Sequence, residues 1–208
     1  MGSAYILSYT TTSLSTYESE VIANLYLETK AWPVVRECVI EENAVQKGTV
    51  ASRKRLFLEL KKRLETLTEA ELAYFTQASN SEAKALTMLS CFKLYRFIYD
   101  FASELMRKKL LLFDYQLLNS DYESFYDSKR VAYENLNTIS EATRKKLKQV
   151  MFRIFEQAGL IDNIKTKHIQ KPYLSEKIIA LIVRDNPRYL SGFLYSDREI
   201  DEMTERYR

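Results

Sequence analysis

Glycine, proline, cysteine and histidine are all scarce in this sequence of 208 residues, and each shortage excludes a class of protein. Four glycines and three prolines are too few for the many tight turns of a sheet protein, which favours long helices. The shortage of glycine also excludes a Gly-rich phosphate loop and a dinucleotide-binding fingerprint. The two cysteines, Cys38 and Cys91, lie in apolar helical patterns, and we interpret them as small buried residues.

The single histidine limits the chemistry that the chain can perform. His168 leaves a zinc site short of its usual ligands, and no nucleophile can be paired with it. We interpret it as an exposed residue or a phosphate contact. The sequence therefore predicts no catalytic residue, no metal site and no cofactor, and the chain is predicted not to be an enzyme.

Long uncharged apolar runs are also missing. The most apolar region, Leu86–Phe113, is interrupted by charged residues, namely Lys93, Arg96, Asp100, Glu104, Arg107, Lys108 and Lys109. A membrane span does not tolerate such a load, and the N-terminus does not have the pattern of a signal peptide. We expect a soluble cytoplasmic protein with no membrane partner.

Apolar side chains at helical spacing fill most of the sequence. Hydrophobic residues make up 46% of the chain, enough for a real core. Together with capping boxes beginning at Ser15, Thr68, Ser120 and Thr138, the spacing predicts an all-α helical bundle. The longest predicted helix covers 81–112 and is expected to be central; a charged helix is expected over 196–208.

The domain boundary predicted from the sequence lies near residues 135–140. Residues 1–138 would form an N-terminal helical bundle, and residues 139–208 a helical or winged-helix-like subdomain. Residues 160–174 are short, polar and basic, and a small β-hairpin is considered there. In a winged-helix arrangement, Lys165, Lys167 and Lys171 of this hairpin would contact phosphates.

Basic residues are concentrated in two segments. Residues 50–113 hold 12 Lys+Arg against 7 Asp+Glu, and residues 141–171 hold 8 against 3, so each segment has a net charge of +5. The intervening residues 114–140 carry −3. Such segregation is typical of a chain that binds a polyanion.

The predicted helix from Glu141 has the stronger basic face. Lys145, Lys146, Lys148 and Arg153 lie opposite its apolar stripe, with no acid expected on that face before Glu156. Further cations complete the predicted DNA-binding set: Arg144 next to them, and Lys54, Arg55, Lys61 and Lys62 on the helix from Val50. An ordinary solvated helix face is the alternative interpretation.

Blocks of residues along the chain carry a resemblance to a known family. They are Ser13-Leu14, Glu18-Ser19, Ala23, Leu25-Tyr26, Trp32, Val35-Arg36, Glu42-Asn43, Arg55, Glu59-Leu60, Arg63-Leu64, Leu67-Thr68, Tyr95 to Ile98, Asp100 to Ala102, Thr143-Arg144, Leu147, Phe152-Arg153 and Gly159-Leu160. In order and spacing they resemble the BrxA family of BREX bacteriophage-resistance systems. The resemblance covers nearly the whole chain and weakens after about Leu174.

The resemblance implies a mainly helical, non-enzymatic accessory component of phage defence that binds double-stranded DNA and works with other BREX proteins. The implied fold is similar to helical nucleic-acid-binding proteins such as the antitermination factor NusB. Because most of the predicted contacts are lysines, we expect backbone contact with little sequence readout. Two alternatives stay open: docking of an acidic protein partner, and RNA binding. For RNA, base stacking is considered for five of the 15 tyrosines, although their helical spacing among Leu and Phe favours packing in the core or at its rim: Tyr95, Tyr99, Tyr122, Tyr126 and Tyr133.

Overall fold

The computed structural model describes residues 4–207, and the regular structure in that range is helical. The α-helices are α1 Thr16–Thr29, α2 Trp32–Ile40, α3 Val50–Leu64, α4 Glu69–Tyr74, α5 Asn80–Leu94, α6 Arg96–Asp100, α7 Arg107–Leu111, α8 Asn119–Arg130, α9 Glu141–Gln157, α10 Glu176–Asp185 and α11 Asp197–Tyr207. A π-helical turn, Phe101–Met106, joins α6 to α7, and 3-10 turns lie at Ser8–Thr11, Phe75–Gln77, Glu134–Leu136 and Pro187–Ser191. The expected all-α fold is confirmed. Residues 1–3, and Arg208 of the predicted terminal helix, lie outside the described range.

Side-chain caps start many of the helices, as the sequence predicts, although not always at the predicted residue. The capping box at Thr68 is confirmed: Thr68 Oγ1 accepts from the Glu71 N–H at 3.2 Å, and Glu71 Oε2 accepts from the Thr68 N–H at 2.7 Å. A second box at Ser79 and Glu82 opens α5. Each box satisfies N–H groups that the first helical turn leaves without partners.

Three predicted capping boxes, at Ser15, Ser120 and Thr138, are wrong. Ser15 has φ 57° and makes no cap bond, although α1 does begin after it. The Asp121 carboxylate accepts the first bond of α8 from the Leu118 N–H, and Ser140 caps α9. At α8 and α9 another short polar side chain nearby takes the N–H groups of the first turn, whereas α1 has no side-chain cap, so helix existence is predicted better than helix starts.

The longest predicted helix, 81–112, is broken at Tyr95. Its backbone leaves the helical region there, with φ −108° and ψ 82°, before α6 begins. The buried Tyr95 hydroxyl donates to Glu59 and accepts from Arg63 Nε at 3.0 Å. Since neither proline nor glycine marks the break, only these long-range contacts to α3 account for it.

The core is centred on α5, α6 and the π-helical turn. Leu86, Leu89 and Phe97 are fully buried or nearly so. Phe101 packs on Phe155 of α9, with ring centroids 5.9 Å apart. The expectation that the 81–112 region is central is therefore met in spite of the break.

The C-terminal helices α10 and α11 are joined to this core by polar contacts. Lys93 Nζ lies 2.5 Å from Glu71 Oε2 and 2.9 Å from Asp185 Oδ2, which ties α4, α5 and α10 together. The Ser175 hydroxyl donates to Glu82, and with the Ser79 N–H it lowers the pKa of that carboxyl to about 2. The domain division at 138–139 stays a prediction.

The hairpin considered at 160–174 is reduced to one antiparallel bridge, Ile161 to Ile169, and residues 4–207 contain no paired strands. Asp162 accepts the His168 N–H at 2.8 Å, and Asn163 Oδ1 accepts the Lys165 N–H at 2.9 Å. These side-chain bonds take the N–H groups that a ladder would need. The segment is thus a closed loop, not the wing of a winged-helix arrangement.

Candidate nucleic-acid interface

The basic residues of α9 are divided between two sides of the helix. Residues 144 and 148 lie next to α8, whereas residues 146 and 153 lie on the side of Gln157. We call Arg144 and Lys148 the α8 flank, and Lys146 and Arg153 the N-terminal flank. The two flanks have the same charge in the sequence and different surroundings in the fold.

The α8 flank is neutralised by acidic residues of α8. Arg144 pairs with Glu123 and lies 3.6 Å from Asp127, while Lys148 Nζ lies 3.0 Å from the same Glu123. Both cations also sit over aromatic rings: Arg144 is 4.2 Å from the ring centroid of Tyr126, and Lys148 is 5.1 Å from that of Tyr122. Their charge is used to hold α8 against α9.

The prediction of an acid-free face before Glu156 is therefore wrong. Besides Glu123, Glu141 pairs with Lys145 at 2.7 Å, one helical turn away. That hydrogen bond holds the pKa of the Glu141 carboxyl below its usual range and raises the pKa of Lys145. Both side chains are highly exposed, so the pair is weak and a phosphate can replace the carboxylate.

Lys146 and Arg153 on the N-terminal flank keep their charge free. Both are exposed, and neither has a carboxylate within 4 Å among residues 4–207. Gln157, four residues after Arg153 on the same side, accepts the Leu14 N–H at 2.9 Å. This flank consequently lies along the N-terminal part of the chain.

The four basic residues predicted on α3 also differ in whether they have an acidic partner. Lys61 Nζ lies 3.5 Å from Glu65 and 5.3 Å from the ring centroid of Trp32, and Lys62 Nζ lies 3.8 Å from Glu59. Within the described range no such acidic partner is found for the exposed side chains of Lys54 and Arg55.

The three lysines predicted to contact phosphates from the 160–174 loop also differ in their partners and exposure. Lys171 pairs with Glu199 at 2.5 Å and lies 4.0 Å from the ring centroid of Tyr195. Lys167 is half-buried over the Phe152 ring, and Lys165 is exposed at the loop. The loop contacts α9 through the Ile164 N–H, which donates to Glu156, on a different side of the helix from Gln157.

Residues 5–15, which we call the N-terminal segment, connect the basic faces of α3 and α9. Its 3-10 turn Ser8–Thr11 packs against both helices. The Ser8 hydroxyl donates to Glu59 of α3 at 2.6 Å, and Arg55 lies one turn before Glu59 on that side of α3. Arg55 and the N-terminal flank therefore border the same segment from opposite sides.

The sequence analysis did not predict that the N-terminal segment borders the basic faces, because the position of this segment depends on contacts with residues distant in sequence. Tyr5, Tyr9 and Leu14 are buried, although nothing in their local pattern predicts a helix or a strand. The Tyr5 hydroxyl donates to Asp100 Oδ2 at 2.7 Å, 95 residues away. The scattered large apolar residues of residues 5–14 were the available signal.

The structure also locates the tyrosines, the cysteines and the histidine that the sequence analysis considered. Of the tyrosines considered for base stacking, Tyr95, Tyr122, Tyr126 and Tyr133 are buried, as their helical spacing among Leu and Phe predicts. Cys91 is buried and Cys38 only partly so. His168 is exposed, with Nδ1 3.6 Å from Asp162.

Among residues 4–207, no three His, Cys, Asp or Glu side chains are grouped so that they can bind a metal ion. None of the helices in that range has the length and apolar character needed to cross a membrane.

Comparison with protein families gives a match over most of the chain. The family model described as BrxA matches residues 3–186. A BREX protein BrxA of Bacillus cereus (strain H3081.97) is 27% identical over 169 residues, 81% of this chain and 82% of the relative. A BREX protein BrxA of Escherichia coli O9:H4 (strain HS) is 22% identical over 185 residues, 89% of this chain and 87% of the relative.

The fold itself also has a solved counterpart. The crystal structure of an uncharacterized protein from Magnetospirillum magneticum superposes with a TM-score of 0.81 and 22% sequence identity. The match covers 92% of this chain and 98% of that one. At this level of identity the likeness shows a shared fold.

Proposed function

The chain belongs to the BrxA family, and on that premise we propose that it is a non-enzymatic accessory protein of a BREX phage-defence system that binds double-stranded DNA. The printed names of its relatives support the assignment to BREX. One observation carries the DNA-binding part: free cations of α3 and α9, Arg55, Lys146 and Arg153, border the same N-terminal segment.

Binding acts through the phosphate backbone. Cations that have no carboxylate partner keep their attraction for a polyanion, and each one that meets a phosphate releases a counterion from the DNA. Paired cations contribute less because a carboxylate must first be displaced. The principal contacts are therefore Lys146, Arg153 and Arg55, with secondary contributions from Lys145, Lys54 and Lys165.

Duplex DNA fits this surface better than single-stranded RNA. Single-strand recognition depends on exposed aromatic side chains on which bases stack. The tyrosines that the sequence offered for this purpose, Tyr95, Tyr122 and Tyr126 among them, are instead buried in the core. Without base-reading side chains grouped on the surface, we expect little discrimination between DNA sequences.

Fluorescence anisotropy with a labelled random duplex tests the proposal. We expect binding that weakens with salt, with a slope of log affinity against log salt of about −4 to −5 if four to six phosphates are contacted. Unlabelled single-stranded RNA should compete less well than unlabelled duplex. Absence of binding at low salt, or a preference for the RNA, would reject the proposed function.

A further inference from the structure

An open cleft of about 500 Å³ lies beside the N-terminal segment. It is lined by hydroxyl-bearing and cationic residues, Thr10, Thr11 and Thr12 from the segment and Lys47, Ser52 and Arg55 from α3 and the loop before it. No carboxylate and no aromatic ring is among the residues that line it. Such a lining offers hydrogen-bond donors and positive charge, which is the chemistry of an anion site.

The donors in this cleft are available. Within residues 4–207, the hydroxyls of Thr10 and Thr11 make no hydrogen bond, and no carboxylate lies within 4 Å of Arg55. Lys47 does have a partner, Glu18, at 2.5 Å. Arg55 is therefore the group that can give its full charge and a bidentate contact to an anion.

Two buried arginines of α3 fix the walls of the cleft. Arg63 donates to the carbonyl oxygens of Thr12, Ser13 and Leu14 at 3.1, 2.7 and 3.1 Å, which holds the N-terminal segment. Arg53 holds the opposite wall in the same manner.

The bonds of Arg53 run to the chain on either side of the loop before α3. Its Nε donates to Ile40 O at 2.7 Å, and its Nη1 donates to Lys47 O and Gly48 O, both at 3.2 Å. Since both buried guanidinium groups donate to several backbone carbonyls, the walls are positioned before any ligand arrives.

A second cleft continues this surface towards α9. It has a volume of about 430 Å³ and shares Lys47 with the first. The other residues that line it include Lys84 and Gln157, the carboxylate of Glu18 and the exposed ring of Tyr17. Gln157 is the α9 residue that holds Leu14. The two clefts thus form a polar path from Arg55 on α3 to the N-terminal flank of α9.

We propose that the first cleft binds a phosphate group of the nucleic-acid backbone, with Arg55 as its main ligand and the Thr10 and Thr11 hydroxyls as further donors. The inference rests on the proposed function and assigns it a specific site. Free phosphate compounds share this chemistry. The backbone phosphate is favoured because the first cleft offers no ring on which a base could stack and because the second cleft adds a further cation, Lys84.

Arg55→Ala and Lys54→Ala form a matched pair for the test. The two residues are adjacent, exposed and without an acidic partner in the described range, but Lys54 does not line the cleft. Arg55→Ala should weaken binding of the random duplex about 5- to 10-fold and make the salt slope shallower by about 0.9, the value of one phosphate contact. Lys54→Ala, at a residue proposed as a secondary contact outside the cleft, should have less than half of that effect both on affinity and on the slope.

A second variant keeps the test independent of charge. Thr11→Val removes one hydroxyl at nearly constant volume, and we expect about a 2- to 3-fold loss of affinity, the lower end of the net contribution of one hydrogen bond, because the cleft is open to water. Circular dichroism and thermal melting of each variant should match the wild type. Equal effects of Arg55→Ala and Lys54→Ala, in a wild-type protein that does bind duplex, would overturn the cleft alone; no wild-type binding would overturn the proposed function.

Inorganic phosphate distinguishes the two sources of the ligand. Titrated at constant ionic strength set with sodium chloride, it should compete with the duplex only in the range of tens of millimolar. Tight binding of inorganic phosphate that Arg55→Ala abolishes, together with unchanged duplex affinity, would show that the cleft serves a free phosphate compound and would overturn the backbone assignment.

Discussion

The two flanks of α9 carry the same charge and do different things. On the α8 flank, Arg144 and Lys148 share Glu123 and lie over tyrosine rings. On the N-terminal flank, Lys146 and Arg153 face solvent without an acidic partner in the described range. Each flank has one lysine and one arginine within the same 17-residue helix, so the neighbouring elements alone decide how the charge is used.

The difference shows how charge segregation in a sequence is partly cancelled in space. Residues 114–140, with a net charge of −3, include α8, and α8 packs its acids against the +5 segment 141–171. What remains for an external anion is the part of the basic segment that α8 does not reach. In physical terms, the α8 flank contributes to stability, and binding is what we propose for the N-terminal flank.

The largest expected effect is on stability. It follows from removing Arg63, which holds the N-terminal segment next to the N-terminal flank. Arg63→Ala leaves three backbone carbonyls and the buried Tyr95 hydroxyl without their donor, and should reduce the free energy of unfolding by about 3–5 kcal/mol. Urea denaturation measures it. Lys54→Ala, an exposed change on the same helix at a residue without an acidic partner in the described range, is the control and should cost less than about 0.5 kcal/mol; similar losses in the two variants would contradict the anchoring role.

The next largest effect is expected on DNA affinity when the two cations of the N-terminal flank are removed. Removal of the two cations of the α8 flank is the comparison. Lys146→Gln with Arg153→Gln should weaken binding of a random duplex about 10- to 100-fold at 0.1 M salt, because two phosphate contacts are lost. Arg144→Gln with Lys148→Gln removes the same residue types from the same helix and should weaken binding about threefold or less. Anisotropy titrations compare them, and equal losses would mean that the flanks are not distinct.

Removing the shared acid should make the α8 flank resemble the N-terminal flank. Glu123→Gln frees Arg144 and Lys148, so duplex affinity should rise about 3- to 8-fold, up to the value of one added contact at 0.1 M salt. The same change should lower the free energy of unfolding by about 1 kcal/mol through lost ion pairs. An unchanged affinity would indicate that the α8 flank is too far from the DNA to matter.

The smallest effect is expected at Lys145. This residue has an acidic partner, as the α8 flank does, but the pair is exposed and weak. Its pair with Glu141 is exposed, so Lys145→Gln should change the free energy of unfolding by less than about 0.5 kcal/mol. Duplex affinity should fall about 2- to 3-fold, less than for either residue of the N-terminal flank. Single-site anisotropy titrations rank the three residues, and a larger loss at Lys145 than at Lys146 would contradict the order.

Local patterns were sufficient to predict most of the helices. The helices predicted from Val50 and from Glu141 correspond to α3 and α9, and Gly159, with φ 74°, follows α9 as glycine commonly does at a helix end. The break at Tyr95 could not be predicted in this way, because its cause is a hydrogen bond to Glu59 and Arg63 of another helix. The loop at 160–174 escaped for a similar reason, since side-chain bonds of Asp162 and Asn163 replace the expected ladder.

The candidate site was predictable only in part. Helical periodicity places Lys146, Arg153 and Arg55 on the surface correctly, because burial of the opposite stripe is a local property of each helix. Which cations are neutralised depends on contacts such as Glu123 to Lys148, 25 residues apart, that no local pattern reveals. The N-terminal segment that joins the two basic faces lies still farther along the chain from α9, with Leu14 and Gln157 separated by 143 residues.

The salt dependence of duplex binding by the two double variants tests the central claim most directly. The account predicts that Lys146→Gln with Arg153→Gln makes the slope of log affinity against log salt shallower by about 1.8, the value of two phosphate contacts. Arg144→Gln with Lys148→Gln should leave the slope within about 0.5 of the wild type. Equal changes of slope in the two variants, or the larger change on the α8 flank, would contradict the division of α9 into a stabilising flank and a binding flank.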